Sequence, residues 1–427
     1  SGCSSYGVIH NQPGINVSKE QSYSLQTWAQ SENAADFIFI LAFSGGGTRA
    51  AAMAYGVLEE LRDSPVVING QPSRLLDEVT HISSVSGGSF TSAYYGLYGD
   101  KIFDKFKGEF LLEDIEGHLT KSLINPLHWF TRKGRTEHAV EYYNKALFHD
   151  ANFADMMQPD RPMIIINASD LAHGIRFSFI QDYFDLLCSD VRDFPVASAV
   201  AASSAVPVVF NPVVVENYTG CPGFQMKPHA IELAKNSKEL SRMLMGMQTY
   251  NDKINRKFIH FVDGGITDNT GLRAMTDVVT VAGGPAQMVS KMQRKLPSHI
   301  VVLSVNASTE KRSDMDKSAK QPYILASMNA MNDVKLHRYN AATIDEIREN
   351  LGVWAAHMST SEHEIKPYFI EVSFEQVAQP QLKLFLNKIP TSFRLTEEQV
   401  ETLIQSARDL LRADPEYQEL LADITLP

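Results

Sequence analysis

Cysteine is nearly absent: Cys3, Cys188 and Cys221 are the three in 427 residues, so at most one disulfide can form within the chain. Long apolar runs are missing too. The nearest to the roughly 18 to 20 residues a membrane span requires is VASAVAASSAVPVVFNPVVV, residues 196–215, and Pro207, Asn211 and Pro212 break it, so it is expected to be an interior segment. Positive charge is in deficit, with 39 Lys and Arg against 50 Asp and Glu and a formal net charge of -11. That balance argues against a nucleic-acid groove and against broad attraction to an anionic membrane. It leaves a lipid substrate open, because one ester can be held in a local pocket. There is no internal repeat and no low-complexity segment.

What is present is a core-forming composition, 44% hydrophobic and 21% charged, enough for one large α/β domain or two ordinary ones. Residues 1–33 are polar and without a sustained period, as expected of a tether or a surface-hugging arm. From 34 to 427 the pattern is globular, with 318–427 expected as a C-terminal extension packed on the rest. DFIFILAF, EVTHISSVS, RPMIIINASDL, IRFSFI, KFIHFVDGG, HIVVLSVN and KPYFIEVSF are strand candidates. TRAAAMAYGVLEELRD is a helix whose apolar face runs through Met53, Val57, Leu58 and Leu61. Strand, tight turn and helix occur twice within about 60 residues, which points to parallel βαβ construction. Residues 101–160 are expected to be mostly helical, with Phe103, Phe106, Phe110, Trp129 and Phe130 as anchors. A long helix is expected over about 318–350. Near the C-terminus, Thr396 and Gln399 have capping-box spacing before the apolar face of Val400, Ile404 and Leu411.

Three features bear on chemistry. Gly45, Gly46, Gly47 and Arg49 fall at a strand-to-helix turn, where glycines let backbone N–H groups face an anion and the helix N-terminus adds positive potential. The stretch does not fit the dinucleotide fingerprint, whose third glycine would fall at Ala50, and it lacks the P-loop lysine and hydroxyl. SSVSGGS, residues 83–89, is a second such turn; Ser86 has small residues, Ser84 and Gly88, two positions before and after it, as a nucleophile elbow requires. In FVDGGITDN, residues 261–269, Asp263 ends a strand before two glycines, and a desolvated carboxylate there can act as a base. Asp268 and Asn269 fit turn chemistry and a helix cap. Each feature alone also fits an ordinary turn. In open parallel sheets, sites gather at the carboxyl ends of strands, so the three are expected to converge. His81 and His260 flank the second and third features and are expected to be strand residues rather than bases.

The three motifs in this order resemble the patatin-like phospholipase family over about residues 36–275, with further likeness in INASDLAHG and ASSAVPVVFNP. The serine at the first elbow position, Ser84, is the departure from the family pattern. The resemblance implies a three-layer α/β fold with a central, mostly parallel sheet flanked by helices, plus helical inserts. It implies a Ser86–Asp263 dyad without histidine, an oxyanion hole at Gly45, Gly46 and Gly47, and Arg49 bracing that loop or adding positive potential. No metal and no cofactor is implied. The implied substrate is a phospholipid, lysophospholipid or related acyl lipid. The competing expectations are an acyltransferase using the same dyad and a lipid-binding protein without turnover.

Gly2-Cys3 resembles the end of a bacterial lipoprotein signal whose cysteine becomes the lipidated first residue; the alternative is an ordinary cysteine. The first reading implies a bacterial cell envelope, periplasmic or outer-membrane, and a membrane contact through Cys3; a cytoplasmic location is the alternative. In an oxidising compartment Cys188 and Cys221 can pair, and two free thiols are the alternative. The sequence leaves the oligomeric state open.

Overall fold

The computed structural model describes residues 7–14, 22–29, 37–68, 70–118, 134–207, 209–291, 296–310, 319 and 324–425; Cys3, Trp129 and Phe130 lie outside them. The strands are β1 (Phe37–Phe43), β2 (Pro65–Ile68), β3 (Gln71–Arg74), β4 (His81–Val85), β5 (Met163–Asp170) and β6 (Ile175–Ser178). They continue with β7 (Val213–Glu216), β8 (Phe258–Asp263), β9 (His299–Asn306) and β10 (Lys366–Ser373). β2 and β3 form a separate hairpin, which the sequence reading missed. The other eight make one sheet in the order β10-β9-β1-β4-β5-β8-β7, with β6 also paired to β5.

From β10 to β5 every pairing is parallel, as the βαβ pattern predicts, while β6, β7 and β8 pair antiparallel. This is the α/β fold expected, a mostly parallel sheet flanked by helices. Alternation along β1 sends its side chains to two layers. Phe37, Phe39, Leu41 and Phe43 join the main core, whereas Ala42, with Ile38 packed beside it, joins a second cluster that includes Leu351, Ala355 and Met358 of the long helix.

Four helices position the site: α1 (Thr48–Arg62), α2 (Gly87–Tyr98), α3 (Val196–Ser203) and α4 (Ile324–Met358). A fifth, α5 (Glu397–Ala413), covers α1 from outside. Helix α1 departs from the one-sided face expected of it, because nearly all its residues are buried. The cause is α5, whose Ile404 carbonyl comes so near that a Cβ on Gly56 would lie 2.5 Å from it. Arg408 and Arg412 then pair with Glu59 and Glu60 on α1 and with Asp63 just past its end. Thr396 and Gln399 form the expected capping box of α5.

The C-terminal segment is part of the sheet, since β10 extends it beyond β9 and α4 connects the two. At the other end, the described pieces of the N-terminal arm lie on the body. Tyr23 is fully buried, donates its hydroxyl to Ile164 O at 2.9 Å and accepts from Ile164 N. The 196–215 run is interior only in part. Helix α3 is wholly buried, but Val206 and Val209 in the turn after it are 41% and 53% exposed. Cys188 and Cys221 form a disulfide across 33 residues. Among the described residues no helix is long and apolar enough to cross a membrane.

Candidate active site

Strand β4 delivers Ser86 into the turn that starts α2, with φ 50° and ψ -119°. A non-glycine residue rarely holds a positive φ, and the strain persists only where the surroundings enforce it. Here two glycines enforce it. A Cβ on Gly88 would stand 2.7 Å from Phe43 Cβ, and one on Gly87 would stand 2.0 Å from Gly47 O, so the elbow packs directly on the end of β1 and on the glycine loop. The Ser86 N–H donates to Ser203 Oγ at 2.8 Å, and Ser203 Oγ donates to Asn167 O at 2.6 Å, which ties the elbow to α3 and β5. Ser84, at the first elbow position, is wholly buried and accepts from Ser92 Oγ at 2.6 Å. A serine is accommodated there because α2 supplies a hydroxyl partner.

Asp263 reaches the same place from another direction. Strand β8 runs antiparallel to β5, with Ala168 opposite Asp263 and Asp170 opposite Phe261. Its C-terminus therefore comes back along β5 to the level where Val85 pairs with Asn167. The expected convergence occurs, but only two of the three motifs sit at carboxyl ends of parallel strands; the third arrives on an antiparallel one. Ser86 Oγ donates to Asp263 Oδ2 at 2.8 Å, and Gly265 N donates to Asp263 Oδ1 at 2.8 Å. Ser86 and Asp263 are 6% and 8% exposed. Burial pushes the Asp263 carboxyl up to about 6, and the bonds from Gly265 and Ser86 pull the other way without cancelling it. His81 shares a hydrogen bond with Thr80, the residue before its strand, and His260 is exposed on β8. No imidazole of the described residues hydrogen-bonds Ser86 or Asp263.

The glycine loop lies beside this pair, a Cβ on Gly45 falling 3.3 Å from Ser86 Cβ. Gly46 and Gly47 have φ of 143° and 63°, values that favour glycine. The expectation that all three glycines present their N–H groups needs correction. Gly45 N donates to Asn269 O at 2.9 Å and is used up holding the loop. Gly46 N and Gly47 N have no partner among the described residues, and neither does Gly87 N at the first position of α2. Arg49 is 3% exposed and donates to Ala307 O, Ile389 O and Thr391 Oγ1 at 2.8, 2.6 and 3.0 Å. Of the two roles expected for it, the bonds fit the brace. Asp268 accepts from Thr270 N, Gly271 N and Arg273 N, the turn role expected of it.

Sequence reasoning missed Ser203, Asn167, the Asn269 carbonyl and Gly87 as parts of the site. Gly87 alone had a local signal, as the first glycine of SGGS.

A serine on a strained strand-to-helix elbow, bonded to a buried carboxylate beside a glycine loop whose Gly46 and Gly47 N–H groups are unbonded among the described residues, defines an α/β protein of the serine-elbow class. Residues 41–276, more than half of the chain, match the family model described as patatin-like phospholipase, and the chain belongs to that family. Among solved structures it is similar to the human GIVD cytosolic phospholipase A2, at 12% identity and a TM-score of 0.45, over 98% of this chain and 66% of that one. The same protein in complex with methyl gamma-linolenyl fluorophosphonate matches at 12% identity and a TM-score of 0.43, over 98% and 65% of the two chains. With that inhibitor and terbium chloride it matches at 13% identity and a TM-score of 0.42, over 98% and 66%. The chain thus spans just under two thirds of the length of these structures. No curated protein matches it.

Proposed function

We propose that this chain hydrolyses the carboxylic ester of a phospholipid, lysophospholipid or related acyl lipid through an acyl-Ser86 intermediate. The observation that carries the proposal is the 2.8 Å bond from Ser86 Oγ to a carboxylate whose ordinary acidity burial has weakened to about 6. A base of that strength is ionised at neutral pH and still accepts a proton usefully. Ser86 Oγ attacks the ester carbonyl carbon while its proton passes to Asp263 Oδ2. The C=O electron pair moves to oxygen, and the resulting oxyanion is met by the N–H groups of Gly46, Gly47 and Gly87. One such donor typically contributes about 3 to 4 kcal/mol to lowering the barrier. The tetrahedral intermediate collapses by breaking the C–O bond to the leaving alcohol, which takes the proton back from Asp263. Water then attacks acyl-Ser86, giving its proton to Asp263, and the second collapse releases the fatty acid and returns the proton to Ser86 Oγ.

Attachment to a membrane through a lipidated Cys3, in an oxidising bacterial envelope, belongs to the same proposal. The Gly2-Cys3 pair and the Cys188–Cys221 disulfide support it. An acyl mass on the Cys3 peptide of protein purified from cells is expected, and an unmodified peptide would contradict it.

The catalytic reading is tested with a fluorophosphonate probe that reacts only with activated serines. The wild type is expected to gain one adduct, mapped to Ser86, and folded Ser86→Ala to gain none. A folded wild type that takes no adduct, or takes it elsewhere, would make the pocket a ligand site without turnover.

A further inference from the structure

The glycine loop is braced by a segment far from it in sequence. We propose that residues 389–394, outside the 41–276 family match, form a strap that fixes the Gly46 and Gly47 N–H groups, with Arg49 and Thr391 as positioning residues. The proposal rests on the serine mechanism above.

Three hydrogen bonds bind the strap to the loop. Thr48 N donates to Ser392 O at 3.0 Å, and Arg49 donates to Ile389 O at 2.6 Å and to Thr391 Oγ1 at 3.0 Å. Between them the Gly47–Thr48 peptide is held on both sides: its N–H is bonded to Ser392 O, a Cβ on Gly87 would be 2.0 Å from its oxygen, and a Cβ on Gly47 would be 2.6 Å from Ser392 O. The Gly46–Gly47 peptide, which carries the Gly47 N–H, is joined to this held unit at Gly47 Cα, so its N–H cannot swing far without moving the elbow or the strap.

The strap is itself anchored. Ser392 Oγ and Phe393 N both donate to Glu116 Oε1, at 3.0 and 3.1 Å. The Phe393 ring meets Phe90 of α2 edge-on at 5.6 Å. One wall therefore touches both the oxyanion loop and the helix that carries the nucleophile. Arg49 is a buried cation, costly unless its donors are satisfied, and three of its bonds run to Ala307, Ile389 and Thr391 rather than to Ser86. Its effect on the reaction is thus transmitted through the loop. Donors of this kind must be held within about 0.5 Å to work, which is the task such a strap performs.

Thr391 is exposed, so it can be changed with little risk to folding. The experiment measures kcat and KM on a p-nitrophenyl ester for Thr391→Val, Thr391→Ser, Arg49→Lys and Ser86→Ala, with the Tm of each. The inhibition constant of a trifluoromethyl ketone, whose adduct mimics the oxyanion, is measured alongside. Thr391→Val is expected to lower kcat about three- to tenfold with KM nearly unchanged, and Arg49→Lys about ten- to a hundredfold, below the full loss of an oxyanion donor. Ketone affinity should fall in proportion to kcat, and Thr391→Ser should restore both.

Thr391→Val with wild-type kcat overturns the strap, as does a kcat loss that Thr391→Ser fails to restore or that ketone affinity does not follow. If Arg49→Lys fails to fold, the Thr391 pair still decides. Activity surviving in Ser86→Ala overturns the serine mechanism itself, whereas an inactive Ser86→Ala beside a fully active Thr391→Val removes only the strap.

Discussion

At the scale of single residues, the decisive quantity is the proton affinity of Asp263. Its carboxyl is raised from 3.8 to about 6 by burial, so the activity that needs it ionised should fall as pH drops through 6. The prediction is a kcat/KM profile that rises to a plateau with an apparent pKa near 6, measured on a neutral ester. The same shift has a consequence for stability. A carboxyl with a raised folded-state pKa favours the fold fully below about 4, its unfolded value, and loses that contribution as pH rises through 6. Asp263→Asn, which cannot ionise, should therefore raise Tm relative to the wild type at pH 8, and the gain should vanish near pH 4. The gain is at most about 3 kcal/mol, from roughly two pKa units at 1.36 kcal/mol each. Gly87→Ala should do the reverse. With its Cβ placed 2.0 Å from Gly47 O, it should destabilise the protein and abolish activity, as thermal melting and ester hydrolysis would show.

Among the elements, the turns and strands differ in how plainly the sequence announces them. FIFILAF and MIIINASD are apolar runs because their strands are covered on both faces, and they are legible without the structure. SGGS after a strand announces the elbow because only small residues clear a nucleophile held at positive φ. The direction of β8 is not written locally, since IHFVDGG serves equally well for a parallel or an antiparallel strand and the choice depends on pairing with Ala168–Asp170. Nor does GGG reveal that Gly45 spends its N–H on Asn269 O, a partner more than two hundred residues away. The two-sided burial of α1 was hidden for the same reason: its second cover, α5, lies at the far end of the chain. The cap of α5 was legible because Thr396 and Gln399 are three residues apart. Thr396→Ala should cost about 1 kcal/mol and leave kcat unchanged, as melting and steady-state rates would show.

For the molecule as a whole, the family match stops before the sheet does. Residues 41–276 keep only the last three residues of β1 and lack β9 and β10, so that edge of the sheet is lost and α1 would lose the cover of α5. A fragment of those residues should fail to fold cooperatively, as its circular dichroism melt would show; a sharp transition would contradict this. The Cys188–Cys221 bridge closes a 33-residue separation, and opening it by Cys221→Ser should cost about 3 kcal/mol. Wild-type Tm should fall comparably under reductant, while Cys221→Ser should not respond. The central claim, that one serine and one carboxylate perform the chemistry, is tested most directly by hydrolysis. Wild type, Ser86→Ala and Asp263→Asn would be compared on phospholipid vesicles and p-nitrophenyl esters, each variant first shown to be folded. The account predicts turnover by the wild type and a loss of at least about a thousandfold in both variants. A wild type inactive on every ester, or either folded variant with full activity, would contradict it.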